Sequence, residues 1–354
     1  MKLLDRYLAR QVIANTLLVL LVLTAISSLI TFVGEFDNVG QAHYTLLAAA
    51  RYTLFYIPAQ AYAMFPVAVL LGAMLGLGDL ASHNELMVLR TAGVSVLRIG
   101  LSAMLGGAVL VLVCVLLGEF LAPPAERSAE DQRSLLLYNQ ANVLGEGGIW
   151  AKDGNLFVNV KRIGQRDTAK KIYLFDFDGS HHLLSATRAD SALFRDGNWT
   201  LRNLRETDLT QDSASTRKVG SAAWKTLLAP GLLNLFVMDT NSLSARGLYH
   251  YIDYLEANGI SANRYIAAFW GKLAQPVSVL LMMLLALPFV FGPMRSSSTG
   301  QRLLVGMLIG IGFYVFNSIF TQTGVVFGLN PIFTAWLPTA LLALISGIAV
   351  SRIR

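Results

Sequence analysis

Uncharged apolar stretches bracket a polar, turn-rich middle. Residues 11–34, 52–78 and 99–118 fall in the first third of the chain, and 273–294 and 303–351 close it. About 20 apolar residues cross the hydrocarbon core of a bilayer as a helix. The last stretch is long enough for two such helices, and the turn signal Gly328-Leu329-Asn330-Pro331 divides it. The pattern predicts six membrane spans, three before and three after a soluble insert.

Between about Gly148 and Leu228 the period changes to two. Leu156, Val158 and Val160 share one face of a strand, as do Tyr173, Phe175 and Phe177, and Trp199 and Leu201 continue the alternation. Asp153-Gly154, Asp178-Gly179 and Asp196-Gly197 are hairpin-type turns, because both residues tolerate positive φ. Short strands at this spacing predict an antiparallel sandwich or jelly roll. Its apolar residues either form a plain core or line a groove for a lipid tail. In residues 242–261, Leu243, Leu248, Tyr251, Ile252 and Leu255 recur at helical spacing and predict one or two helices leading into span four.

Composition agrees with a polytopic membrane protein: 54% of the 354 residues are hydrophobic and only 14% charged. The net charge of +6 is not a nucleic-acid footprint, since many basic residues flank the spans. Lys2, Arg6 and Arg10 precede span one with only Asp5 to oppose them, which places the N-terminus in the cytoplasm. The loops carrying Arg90 and Arg98, then Arg295 and Arg302, and the tail with Arg352 and Arg354 fall on the same side. The insert falls on the other. The run 11–34 is too long for a signal-peptide core, so it is expected to remain as a span. Cys114 is the single cysteine, so the insert folds without an internal disulfide.

Several chemistries find no support. Gly271-Lys272 is followed by Leu273, and the chain has no phosphate-cradling Walker loop and no His-Glu-x-x-His. The adjacent His181 and His182 point to opposite faces of a strand, which suits a solvated turn better than a metal site. The five apolar stretches hold no Asp, Glu, Lys or Arg, whereas proton- or ion-coupled pumps keep such groups at membrane depth. If the chain moves a substrate, the energy comes from a partner. Loop 78–93 reads as a short helix stopped by Gly93, with Leu86, Val88 and Leu89 apolar and Glu85 and Arg90 charged. It is either an interfacial connector or a helix that docks into a groove on a cytoplasmic partner.

The whole chain resembles the lipopolysaccharide export permeases of Gram-negative bacteria, the paired F and G subunits, and the G type in particular. The resemblance rests on Leu4-Asp5-Arg6-Tyr7, Phe65-Pro66, Leu70-Leu71-Gly72-Ala73, Asn84-Glu85-Leu86, Ala92-Gly93, Trp150-Ala151-Lys152-Asp153-Gly154, Trp270-Gly271-Lys272 and Phe291-Gly292-Pro293, in that order. It implies a six-span α-helical membrane protein with an extracytoplasmic, all-β jelly-roll-like insert. The expected boundaries are 1–118 for spans one to three, with a coupling helix at about 80–92, 119–264 for the insert and connecting helices, and 265–354 for spans four to six.

The resemblance also implies a function: a permease subunit, itself no enzyme, of an exporter in the inner membrane. Lipopolysaccharide leaves the outer leaflet of that membrane and passes to a periplasmic bridge. Implied partners are the paralogous F permease, two copies of a cytoplasmic (LptB-like) ATPase and a single-span periplasmic (LptC-like) protein. ATP and Mg belong to the ATPase and no cofactor to this chain. Glu85, with Leu86, Leu89 and Arg90, falls on the coupling helix, where the glutamate would meet an arginine of the ATPase. Some G subunits carry lysines near the outer end of span one, at positions that here read Thr31, Asp37 and Asn38. Arg51, Arg133 and Lys272 are the candidates for lipid A phosphate instead, or Arg51 and Lys272 snorkel at span ends and Arg133 is a solvated charge. Met64, Phe65, Phe313, Phe316 and Phe320 are the candidates for an acyl-chain cavity, or are ordinary packing aromatics. The competing readings are the sister F subunit, a membrane-anchored sensor with a periplasmic β domain, and a membrane enzyme.

Overall fold

A computed structural model describes residues 2–138, 148–163, 168–180, 182–195, 198–209, 213–224, 240–291 and 299–352. His181, the Asp196-Gly197 turn, Gly292-Pro293, Arg295 and Arg354 lie outside the described residues. The chain divides into two compact units. One comprises Met1–Asp37, Ala49–Ala129 and Asn263–Arg354, the other Asn38–Ala48 and Glu130–Ala262.

The first unit is helical. Its elements are α1 (Lys2–Gly34), α2 (Leu46–Ser82), the short α3 (Glu85–Thr91) and α4 (Val96–Leu116). A π-turn, Leu117–Leu121, carries α4 into α5 (Ala122–Tyr138), so the helix of span three continues beyond Gly118. After the insert come α7 (Asn263–Phe291), α8 (Thr299–Val326) and α9 (Pro331–Ser351). Among the described residues, six helical stretches are long and apolar enough to cross a membrane. Local chemistry sets their ends. Gly328 takes φ +66 and Leu329 N–H returns to the Gly324 carbonyl at 2.9 Å, which closes α8. Asn330 Oδ1 then accepts the Ile332 N–H at 3.0 Å, with Pro331 at the first helical position of α9. The turn read at 328–331 therefore separates spans five and six.

Leu8 and Val12 of α1, Phe65, Leu70 and Leu77 of α2, Ile99 and Leu110 of α4 and Met282 and Met283 of α7 form the buried core of this unit. Three glycines set the closest approaches, Gly72, Gly118 and Gly324, the last against the Thr334 side chain. A Cβ at Gly72 would collide with the backbone of Thr16, and one at Gly118 with the ring of Tyr62.

The second unit holds the insert. Strands β1 (Ile149–Asp153), β2 (Leu156–Ile163), β3 (Thr168–Phe177), β4 (Leu183–Arg195), β5 (Asn198–Leu209) and β6 (Ala214–Trp224) pair antiparallel in chain order. Val158, Val160, Ile172, Leu174, Ala189 and Leu204 are buried on one face. Tyr173, Phe175 and Phe177 do share a face, as the alternation requires, but it is the half-buried opposite one. In β3 and β5 the apolar spacing changes once from two to three, at Ala169/Ile172 and Leu201/Leu204. Lys171 (φ 54) and Asn203 (φ 53) are left-handed there, and that local turn of the backbone keeps both apolar residues inward. Helix α6 (Ala245–Ala257) follows, capped by Ser244 Oγ on the Gly247 N–H at 3.1 Å, with Leu248, Tyr251 and Leu255 buried as their spacing requires.

Candidate functional site

The loop between α2 and α4 folds as the sequence suggested. α2 stops at Ser82, Asn84 turns the chain with φ 62, and α3 begins at Glu85. At its other end Gly93 takes φ +88, Gly93 N–H bonds the Arg90 carbonyl and Val94 N–H the Leu89 carbonyl, both at 3.0 Å. This paired closure satisfies two carbonyls that the helix end leaves free. The helix is two turns long, so its faces are sharply divided. Leu86 is buried and Leu89 half-buried against the unit's own core, because residues three apart share a face. The sequence reading offered these two leucines to a partner. The structure instead turns Glu85, Met87, Val88 and Arg90 outward. Leu86 nevertheless forms part of the wall of a groove, with Ala81, Asn84, Met87, Arg90 and Thr91 and with Val290 and Phe291 from the end of α7.

Two polar ties surround the start of α1, and neither has a local signature in the chain. Tyr7 Oη donates to Glu85 Oε2 at 2.9 Å. Asp5 accepts from Arg98 Nη2 at 2.8 Å and from the hydroxyl of Ser102 in α4. The only available signal was the Leu4-Asp5-Arg6-Tyr7 motif, which carries chemistry without naming its partners.

Of the phosphate candidates, Arg51 and Lys272 belong to the first unit and Arg133 to the second. Arg51 is exposed on α2, with its guanidinium 5.8 Å from the Phe55 ring centre. Arg133, in the other unit, lies 3.9 Å from Glu130 one helical turn back. Lys272 reaches inward: its ammonium stands 5.5 Å from the Tyr62 ring centre and donates to the Gly118 carbonyl at 3.4 Å. Gly118 belongs to the π-turn, whose altered ladder makes carbonyls available to side chains. Thr31, at one of the positions where relatives are expected to carry lysine, accepts from Gln60 Nε2 at 2.8 Å, while Ser28 donates to Gln60 Oε1 at 2.7 Å.

The cavity candidates also separate. Phe65 is fully enclosed in the helical core, so it lines no open space, and Met64 is half-buried beside it. Phe313 packs against the same core. Phe316 and Phe320 stack with ring centres 5.7 Å apart on α8, and Phe316 is exposed. Their i, i+3, i+7 spacing puts the three on one face, as expected.

Six spanning helices, a β insert between two helical triplets and a short loop helix presenting a carboxylate define a polytopic membrane protein built to work with a partner. The family model described as lipopolysaccharide export system permease LptF/LptG matches residues 6–352, and the chain belongs to that family. It is 37% identical to the lipopolysaccharide export system permease protein LptG of Haemophilus influenzae, over 99% of each chain. It is 38% identical to the protein of that name from Escherichia coli K12, over 97% of this chain and 96% of the relative. The chain is thus a transport subunit, a permease of the lipopolysaccharide exporter, and a multi-pass protein of the inner membrane.

Proposed function

We propose that the chain is the G-type half of a permease pair. Its sister is an F-type permease, and two copies of an LptB-like ATPase sit on the cytoplasmic side, where ATP and Mg are held. Both termini are cytoplasmic and the insert is periplasmic, as the arginine distribution favours. Lipopolysaccharide is drawn from the outer leaflet and passed, past an LptC-like protein, to a periplasmic bridge. Arg51 and Arg133 meet its phosphates. Phe313, Phe316 and Phe320, with Met64, meet its acyl chains. The commitment of Lys272 to the Gly118 carbonyl favours a packing role for that residue.

The observation that carries the coupling role is the exposed Glu85 on a short helix between two spans, whose sequence neighbours Asn84 and Leu86 line a groove. A partner arginine seated there would form a charge-assisted pair. Burial of that pair would make its loss cost about 2–5 kcal/mol. Glu85→Ala is expected to abolish export from reconstituted vesicles, either by uncoupling ATP hydrolysis or by preventing ATPase capture. Wild-type export by that variant would remove the proposal.

A further inference from the structure

Residues two apart on a helix point about 200° from each other. Asp5 and Tyr7 therefore lie on opposite sides of the start of α1, while Leu8 between them in the turn is fully buried in the core. The segment from α3 to the first turns of α4 occupies both polar sides. Tyr7 Oη meets Glu85 on α3 at 2.9 Å, and Asp5 meets Arg98 at 2.8 Å and the Ser102 hydroxyl on α4. The Asp5 tie is an ion pair reinforced by a hydroxyl, with both charged side chains less than a third exposed. It fixes α1 to α4. The Tyr7 tie is a single hydrogen bond between exposed groups. It is the weaker of the two and the one that a partner at Glu85 can perturb.

We infer that Tyr7 is a positioning residue for Glu85, and that through it span one is tied directly to the coupling helix. A carboxylate has two oxygens and room for several donors. Tyr7 takes one acceptor site on Oε2 and so limits the rotamers of Glu85, leaving Oε1 and the second site on Oε2 for an arginine fork. Any shift of α3 that draws Glu85 away strains or breaks the Tyr7 bond, while Asp5 holds the same helix end against α4. The inference rests on the coupling role proposed for Glu85.

The test uses the assembled exporter in vesicles and reads lipopolysaccharide moved per ATP hydrolysed, together with ATPase co-purification. Tyr7→Phe deletes only the hydroxyl. It is expected to lower that ratio about three- to tenfold, the size of one ordinary net hydrogen bond, with co-purification unchanged. Glu85→Gln, which keeps the side-chain shape, is expected to lower the ratio as well, and Tyr7→Phe added to it should lower it little further. A wild-type ratio in Tyr7→Phe alongside an impaired Glu85→Gln overturns the inference and leaves the coupling role standing. So does a full multiplicative effect in the double variant, or a loss of co-purification in Tyr7→Phe, which marks a structural role. A wild-type ratio in Glu85→Gln, with Glu85→Ala also exporting normally, removes the coupling role itself.

Discussion

The two units of this protein answer differently to the same question, which side chains are inside. In the β insert, apolar character follows burial on one face: Val158, Val160, Ile172 and Leu174 are enclosed, with Asn159 the buried polar exception between the first two. In the helical unit it does not. The most apolar stretch of α1 is 11% buried and that of α8 also 11%, whereas 72% of the corresponding stretch of α2 is enclosed. Leu18, Leu21, Ile30 and Leu308 are exposed, while Thr16, Gln60, Ser102 and Ser278 are buried.

The solvent explains the contrast. Water drives apolar surface inward in the insert. A lipid tail is as apolar as leucine, so within a membrane close packing of small residues and interhelical hydrogen bonds decide which face meets another helix. Gly72 against Thr16, Gly118 against Tyr62 and the Ser28–Gln60–Thr31 bonds are such contacts.

The sharpest way to break the comparison is to truncate equally apolar residues in both units. Trp199 is 1% exposed and packs its ring 5.3 Å from Phe194 and 6.4 Å from Trp224. Trp199→Ala is expected to destabilise the insert by about 3–5 kcal/mol. Leu308→Ala, on α8 and 65% exposed, should stay within about 0.5 kcal/mol in the detergent-solubilised chain. Protease protection of the insert and thermal unfolding of the whole chain read the two effects. Equal losses at both positions would sink the distinction.

Within the helical unit, small size replaces hydrophobicity as the quantity under constraint. Gly72→Ala adds one methyl group where Thr16 backbone atoms already stand, so the helices must separate. A cost of about 1–3 kcal/mol follows, and trimming the Thr16 side chain should not restore it. Gly271, also helical, has nothing within 4 Å of an added Cβ. Gly271→Ala should be neutral or stabilise by about 0.5–1 kcal/mol. Thermal stability in one detergent checks the pair, and a similar loss in both would show that the close approach to Thr16 is not the cause.

The cations sharpen the same point at smaller scale. Lys272→Met keeps the stem and removes the bond to the Gly118 carbonyl, for an expected loss of about 1 kcal/mol. Arg51→Ala should leave stability nearly unchanged, since it loses an exposed contact with Phe55. It should instead weaken binding of phosphorylated lipid relative to a dephosphorylated analogue. Thermal shift and lipid binding measured on both variants separate a packing cation from a ligand-facing one.

The sequence disclosed those features whose causes are local. The Gly328–Pro331 turn, the Gly93 stop and the period of the strands each depend on a few neighbouring residues, whereas the helices of spans one to three outrun the apolar stretches that announce them. It did not disclose which face of a span is covered, because leucine is at home on either side. For that reason Phe65 could be read as a cavity lining although it sits in the core, and the sequence could not tell that Leu86 is mostly enclosed while still contributing to a groove wall. The Tyr7–Glu85 and Asp5–Arg98 ties join residues 78 and 93 positions apart, a separation that no local pattern encodes.

The smallest expected effect tests the water-facing side of the comparison, where a charge rather than packing fixes a turn. Asp178 Oδ1 accepts the N–H groups of His182 and Ser180, each at 2.8 Å, and closes the β3–β4 hairpin. The bond from the His182 backbone N–H is the main reason that the Asp178 carboxyl titrates below its ordinary range. A depressed folded-state value means that the carboxylate stabilises the turn fully above the ordinary aspartate value of about 4. That contribution is lost as the pH falls further, through the folded-state value. Amide exchange at Ser180 and His182 should therefore accelerate, relative to its intrinsic rate, only below about pH 4. Exchange at Val158 and Ile172 should not follow it. Asp178→Asn keeps an acceptor oxygen but cannot titrate, so the acid limb should disappear while the turn persists at neutral pH. An unchanged acid limb in that variant would assign it to another group and leave the turn to its backbone bond from Asp178 N–H to the His182 carbonyl at 2.9 Å.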